Sequence, residues 1–301
     1  MGEIVTVTLN AALDVTYEVE ALVPNATHRV TAVHHRAGGK GVNVARVLAT
    51  LGAGVVATGL AGGSTGERIT ADLAAEGVPA RFAPVAGDSR RTVTVVADGD
   101  ATIFNEPGPA VTPGEWREFL ALFLELCRDA RVVVLSGSLP PGVAPGAYAE
   151  LVTGARALGV RVLLDADGEA LGLGVAAGPD IVKPNAAELE RVAGPGPAEE
   201  TASRLLGAGA GAVVVSRGAG GLLAVTPGGS WSARPPRRLP GNPTGAGDAA
   251  AAALARALLG PGPIDWPAVL ADAVALSAAA VLSPVAGTVD LAAYRVLSQE
   301  T

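Results

Sequence analysis

The chain has 301 residues, 49% of them apolar but only 3% aromatic, and a formal net charge of −7. That length buries a real core, which Val, Leu and Ala must fill. The acidic balance argues against a general nucleic-acid surface, so an anionic ligand needs a local cluster of Lys, Arg and helix starts.

A single cysteine, Cys127, leaves no internal disulfide and no thiolate metal cluster. Its place on the apolar side of a helical pattern predicts packing. No apolar run is long enough to span a membrane, and no basic-then-apolar leader precedes the first strand. A cytoplasmic chain without a membrane partner is expected.

Short β-rich runs alternate with helical stretches almost throughout. "EIVTVTL" (3–9) reads as a buried first strand, which outweighs the match of "MGEIVT" to a myristoylation template. "DVTYEVE" (14–20) and "RVTAVHH" (29–35) alternate with period two, as half-exposed antiparallel strands do. His34 and His35 fall in such a strand and are not read as a metal site.

Val44, Val47, Leu48 and Leu51 make a helical stripe after a glycine turn, and "VVATGL" (55–60) is the next strand. Alternation returns over "RTVTVVADGDATIFN" (91–105). Thr112, Pro113 and Glu115 then form a helix-start signal before the stripe Trp116, Phe119, Leu120, Phe123, Cys127.

"VVVLSG" (132–137) precedes the stripe Tyr148, Leu151, Val152, Ala155, and the strands "VRVLLD" (160–165), "DIVKPN" (180–185) and "AVVVS" (212–216) follow. Residues 250–298 are Ala-rich and helical. Continuously apolar strands separated by helices predict a mainly parallel central sheet covered on both faces. The alternating segments predict a small sheet beside it, a lid or an interface.

Several loops carry chemistry. In "AGGKGVNVARVLATLG" (37–52) a glycine turn with Lys40 enters a helix whose bare N–H groups suit an anion, though G-x-x-x-x-G-K-[ST] is not met. "SGSLPPG" (136–142) follows a strand and sits where open parallel sheets collect ligands. In "KPNAAEL" (183–189), Asn185 and Glu188 could hold Mg²⁺ through water or form a capping box, and Lys183 could meet a phosphate.

"SRGAGGLL" (216–223) suits a nucleobase or a plain strand–turn–strand. In "GNPTGAGDAA" (241–250), Gly245, Ala246 and Gly247 can aim N–H groups at one spot. Asp248 beside them is either a helix cap or a general base for phosphoryl transfer.

Together, in order and across the whole length, these segments resemble the PfkB carbohydrate kinases of the ribokinase superfamily. "TLNAALDVT", Gly-Gly-Lys-Gly-Val-Asn, "SGSLPPG", "KPNAAEL" and Thr244–Asp248 carry the likeness. "TLN" with "ALD", Lys40 and "NEPGP" (105–109) resemble the branch holding 1-phosphofructokinase and tagatose-6-phosphate kinase.

The resemblance implies a ribokinase-like three-layer α/β/α sandwich: one domain over 1–301, with a β lid from about 12–36 and 88–106 that also makes a homodimer. It implies ATP- and Mg²⁺-dependent phosphorylation of a hexose phosphate. Asp248 is the implied base, with Gly245, Ala246 and Gly247 as the anion hole. Asp14, Gly38, Gly39, Lys40, Asn43, Arg90 and Ser138 are implied at the sugar, Arg90 at its existing phosphate, with Arg91 as a rival.

Lys183, Asn185, Glu188, Ser216, Arg217, Gly218 and Gly220 are implied at the nucleotide, with Asn185 and Glu188 at Mg²⁺ through water. Fructose 1-phosphate, fructose 6-phosphate and tagatose 6-phosphate stay open. So do a non-phosphorylated sugar and a catalytically silent sensor. Pro243, which has no N–H to donate, departs from the family pattern and puts nucleotide contacts near 242 in question.

Overall fold

A computed structural model describes residues 3–97, 100–237, 239–283 and 285–301. The expectations at Met1, Gly2, Asp98 and Gly99 lie outside the described residues. The first half of the chain runs β1 (Ile4–Thr8), β2 (Ala12–Glu18), β3 (Ala32–Gly38), α1 (Lys40–Thr50), β4 (Val55–Gly62), α2 (Gly63–Ala75) and β5 (Ala80–Val85). It continues through β6 (Arg90–Ala97), β7 (Asp100–Asn105), α3 (Pro113–Cys127), β8 (Val132–Ser136), α4 (Ala147–Ala157) and β9 (Arg161–Asp165).

The second half holds α5 (Gly168–Ala176), β10 (Ile181–Val182), α6 (Ala186–Ala193), α7 (Ala198–Gly207), β11 (Val213–Ser216), β12 (Leu222–Thr226) and β13 (Gly229–Ala233). The helices α8 (Ala246–Leu258), α9 (Trp266–Val281) and α10 (Leu291–Glu300) close the chain.

Nine strands form one sheet in the order β13-β12-β11-β10-β9-β8-β1-β4-β5, parallel from β11 to β5. Alternate residues of each central strand serve opposite faces. Val132 and Val134 of β8 enter a core shared with α1, α8 and α9, whereas Val133 and Leu135 enter one shared with α3, α4 and α5. Three layers result, as expected for a ribokinase-like fold. Among the described residues no helix is long and apolar enough to cross a membrane.

Helix starts follow the sequence signals. Thr112 accepts from the Glu115 N–H and Glu115 accepts from the Thr112 N–H, with Pro113 as the first helical residue. Cys127 is buried with Phe119 and Phe123, and burial pushes its thiol up to about 12. It packs as expected.

Two readings need correction. "DIVKPN" is not one strand: only Ile181 and Val182 join the ladder, with an isolated bridge from Asn185 to Ser216. Pro184 has no N–H to continue it. The small sheet, ordered β3-β2-β6-β7, is also not wholly antiparallel, because β2 and β6 run parallel. The chain reaches β6 only after crossing through α1, β4, α2 and β5, so it re-enters from the same end.

Candidate active site

Parallel strands bring their carboxyl ends to one edge, and the loops read as chemical converge there. At its floor lies Asp165, the last residue of β9, only 1% exposed. Its Oδ1 stands 3.0 Å from Lys40 Nζ and its Oδ2 2.9 Å from Lys183 Nζ. Burial alone would raise the carboxyl, but the two ammonium groups hold it below its usual range. Burial likewise opposes the charge on Lys40, yet Asp165, Glu188 and Asp248 together raise its pKa. Lys40 also stands 3.5 Å from Glu188 Oε1.

Asp248 sits in the first turn of α8, buried, with its Oδ2 accepting from Asn43 Nδ2 at 2.8 Å. Burial, then the like charge of Asp165, push its carboxyl up to about 6 against the pull of Asn43, Lys183 and Lys40. Lys183 lies against the same turn: a Cβ built on Gly247 would stand 3.5 Å from its Nζ. A carboxylate poised near neutrality therefore neighbours two ammonium groups and a helix start.

Pro243 has a structural part in this turn. Its carbonyl accepts the Ala246 N–H at 3.2 Å, while Gly245 adopts φ 89°, ψ −9°. That is the left-handed third position of a type II turn, which only glycine takes without strain. The Ala246 N–H is thereby engaged. Of the three expected donors, those of Gly245 and Gly247 have no acceptor among the described residues, and the Asp248 N–H joins them.

An open cleft of about 930 Å³ leads to this floor, lined among others by Thr8, Asn10, Gly39, Lys40, Arg90, Ser138 and Glu188. Arg90 donates through Nε to the Asn10 carbonyl at 3.1 Å, and Asn10 Nδ2 donates to Ser138 Oγ at 3.2 Å. Asp14 packs against the glycine turn so closely that a Cβ on Gly38 would lie 2.2 Å from its carboxylate. Burial raises the Asp14 carboxyl.

The chain matches the pfkB family carbohydrate kinase profile over residues 5–291. The chain belongs to the pfkB family of carbohydrate kinases. It is 41% identical over 262 residues to a 1-phosphofructokinase from Rhodobacter capsulatus, an overlap covering 84% of this chain and 83% of that protein. A 1-phosphofructokinase from Xanthomonas campestris is 38% identical over 266 residues, 85% of this chain and 84% of that one. The crystal structure of phosphofructokinase-2 from Escherichia coli in complex with potassium superposes with a TM-score of 0.93 at 31% identity, covering 100% of this chain and 99% of that one.

In this pfkB kinase the expected residues fall into two groups. Lys40, Asn43, Lys183, Glu188, Gly247 and Asp248 gather around Asp165; Asp14, Gly38, Gly39, Arg90 and Ser138 lie toward the glycine turn and the cleft. Arg217 and Gly220 line a second opening of about 590 Å³ with Ala219, Ser232, Ala233 and Arg234. Gly218 makes the tight turn between β11 and β12 at φ 54°, and the Ser216 N–H bonds the Pro184 carbonyl. The strand–turn–strand reading of 216–223 is thus also realised.

Asn185 and Glu188 form the alternative weighed for them. Asn185 Oδ1 accepts from the Glu188 N–H at 2.9 Å, and Glu188 Oε2 accepts from the Asn185 N–H at 2.8 Å. Asn185 Oδ1 is engaged once, in the cap, and Glu188 Oε1 is shared only with Lys40. No three His, Cys, Asp or Glu among the described residues cluster to hold a metal. This donor set fits a hydrated Mg²⁺ carried on phosphates, not a protein cage.

Two residues went unread in the sequence. Asp165 had a signal, a carboxylate ending the otherwise apolar "VRVLLD". Asn10 had less: a single polar residue inside "TLNAALDVT".

Proposed function

We propose that this carbohydrate kinase transfers the γ-phosphoryl group of ATP to fructose 1-phosphate, giving fructose 1,6-bisphosphate and ADP. The names of the relatives at 41% and 38% identity support that sugar. The observation that carries the chemistry is Asp248: a buried carboxylate pushed up to about 6, in the helical turn that also presents free N–H groups, beside the buried Lys183 and the half-exposed Lys40.

Asp248 takes the proton of the attacking sugar hydroxyl, whose oxygen bonds to the γ-phosphorus as the bond to the ADP oxygen breaks. A base with a pKa near 6 is ionised at neutral pH yet basic enough to accept the proton. The N–H groups of Gly245 and Gly247, with Lys183 and Lys40, hold the charge spread over the phosphoryl oxygens. Asn43 fixes the Asp248 carboxylate.

Arg90 meets the phosphate already on the sugar, Ser138 and Asp14 meet its hydroxyls, and Arg217 and Gly220 border the nucleotide. Buried oxygens of Thr8, Asn10 and Asn43 have no partner among the described residues, which suits hydroxyl donors from a sugar. Mg²⁺ would ride on the ATP phosphates, with Glu188 Oε1 reaching it through water, and neutralise their charge. The second sheet serves as the lid and as the contact with a second copy.

Measuring ADP release with fructose 1-phosphate, fructose 6-phosphate, tagatose 6-phosphate and fructose tests the proposal. Fructose 1-phosphate should give the highest kcat/KM, by about tenfold or more. Preference for another sugar would overturn the substrate, and no release with any would favour a silent sensor on this fold.

A further inference from the structure

A network of buried charge outside the catalytic cluster holds the root of the second sheet. Arg46 of α1, 3% exposed, donates to the Ala37 carbonyl, to Asp72 Oδ2 at 2.9 Å and to Glu76 Oε2. Asp72 also accepts the Ala37 N–H at 2.8 Å. The Ala37 backbone, just before the glycine turn, is therefore gripped from both sides by α1 and α2.

Arg36 extends this grip out of the unit. In β3 it stands opposite Asp14 of β2. Its Nε and NH2 both lie 3.2 Å from Glu76 Oε1. Its NH1 donates to the Ala286 carbonyl at 2.9 Å, 250 positions along the chain. The planar fork of a guanidinium suits this double task; a single ammonium cannot span both acceptors in the same geometry.

Ala286 and Gly287 lie against the phosphate-handling turn. A Cβ on Gly245 would stand 3.0 Å from Ala286 Cα and 3.1 Å from the Gly287 nitrogen. A Cβ on Gly287 would stand 2.9 Å from Asn43 Oδ1, and Asn43 holds Asp248. Packed backbone of this kind transmits a shift instead of absorbing it.

Resting on the kinase function proposed above, we infer that Arg36 is a positioning residue that couples sugar-phosphate binding at the second sheet to nucleotide binding at the start of α8. A ligand that loads Asp14 and the glycine turn moves or stiffens the root of β3. Arg36 passes that change to Ala286 and so to the Gly245 turn. By linkage the coupling is mutual: the nucleotide tightens the sugar phosphate by the same factor.

Calorimetric titration of Mg²⁺ and a non-hydrolysable ATP analogue, with and without saturating fructose 1-phosphate, tests this. In the wild-type chain the sugar phosphate should tighten the analogue about fivefold or more. In Arg36→Ala the factor should fall to within about twofold of none, while each ligand alone binds within about threefold of wild type. Arg81→Ala, which removes an exposed pair with Glu125, should leave the coupling intact.

Should Arg36→Ala fail to fold, Arg36→Lys carries the same test, because it keeps the charge but not the fork. Undiminished coupling in either variant, or none in the wild type, overturns the inference. Loss of coupling in the variant is judged beside a wild-type chain that releases ADP, so it is distinct from failure of the kinase function, in which the wild-type chain itself would release none.

Discussion

Strand β8 is buried at all five of its positions, and β7 is exposed at all six. The first lies in the middle of the nine-stranded sheet, with a helix layer on each face; the second is the edge of the small sheet. In the covered sheet, Asp165, Lys183 and Asp248 are buried at the strand ends, where the ammonium groups hold the Asp165 carboxyl down while burial and Asp165 push the Asp248 carboxyl up. The small sheet is covered near its root by α2, and that root is held by the Arg36, Arg46, Asp72 and Glu76 network. The buried charge sits at the ends of the covered strands; the small sheet is tethered at its root.

The largest effect expected from breaking the covered region is at Asp248. Asp248→Asn keeps the shape and removes the proposed base, and kcat should fall about 10²–10⁴-fold. The same substitution should raise thermal stability at pH 8. The folded pKa of about 6 exceeds the unfolded value near ~4, so between these values the native chain binds more protons. Stability from this group is therefore lost as pH rises through that window. A neutral Asn escapes the loss, so the gain in Tm should vanish below about pH 4. Scanning calorimetry at the two pH values checks it, and equal Tm differences would contradict the buried, raised carboxyl.

Asp165→Asn comes next. It leaves the buried ammonium of Lys183 without its counter-charge, a change that costs about 3 kcal/mol or more when a buried pair is broken, while the half-exposed Lys40 keeps Glu188. Asp165 also raises Asp248 through like charge. Its removal should move the acid limb of the kcat profile below pH 6, in addition to lowering kcat by about tenfold. A limb that stays in place would mean that burial alone sets the Asp248 pKa.

How far this site could be read in advance depended on how local each part is. The Thr112 cap, the Asn185–Glu188 box and the glycine turn before α8 are written within a few consecutive residues; the cap forms as read, the box is one of the two alternatives open for its residues, and the glycine turn forms with the Ala246 N–H bonded to Pro243. Lys40, Lys183 and Asp248 were recognised one at a time in their own loops. Asp165 was not, because its meaning lies in Lys40, 125 positions earlier, and in Lys183 just past the end of the next strand.

Arg36 escaped for the same reason, since its partner Ala286 is 250 positions away. The parallel pairing of β2 with β6 was also illegible: period-two alternation reports a half-covered face, not the direction of the neighbour. Pro243 read as a lost donor, and its carbonyl turned out to be the useful atom.

The smallest expected effect probes the exposed region. By register, Val33 and Val95 both pair with Tyr17, and Phe104 pairs with Val93, so these side chains share one face of the small sheet. At its root that face is buried through Leu13 and Val15; at its far end Val33 is 49% and Phe104 56% exposed. An apolar strip that runs from the core into solvent suits a second copy of the chain. If the chain self-associates through this strip, Phe104→Ser should weaken the association by about tenfold or more, as loss of an aromatic anchor does. Because the side chain is already more than half exposed, the Tm of the dilute chain should change by no more than about 0.5 kcal/mol would produce. Sedimentation velocity over a concentration series separates the outcomes: a wild-type chain that stays monomeric, or a Phe104→Ser chain that dimerises as well as wild type, would remove the small sheet from the interface.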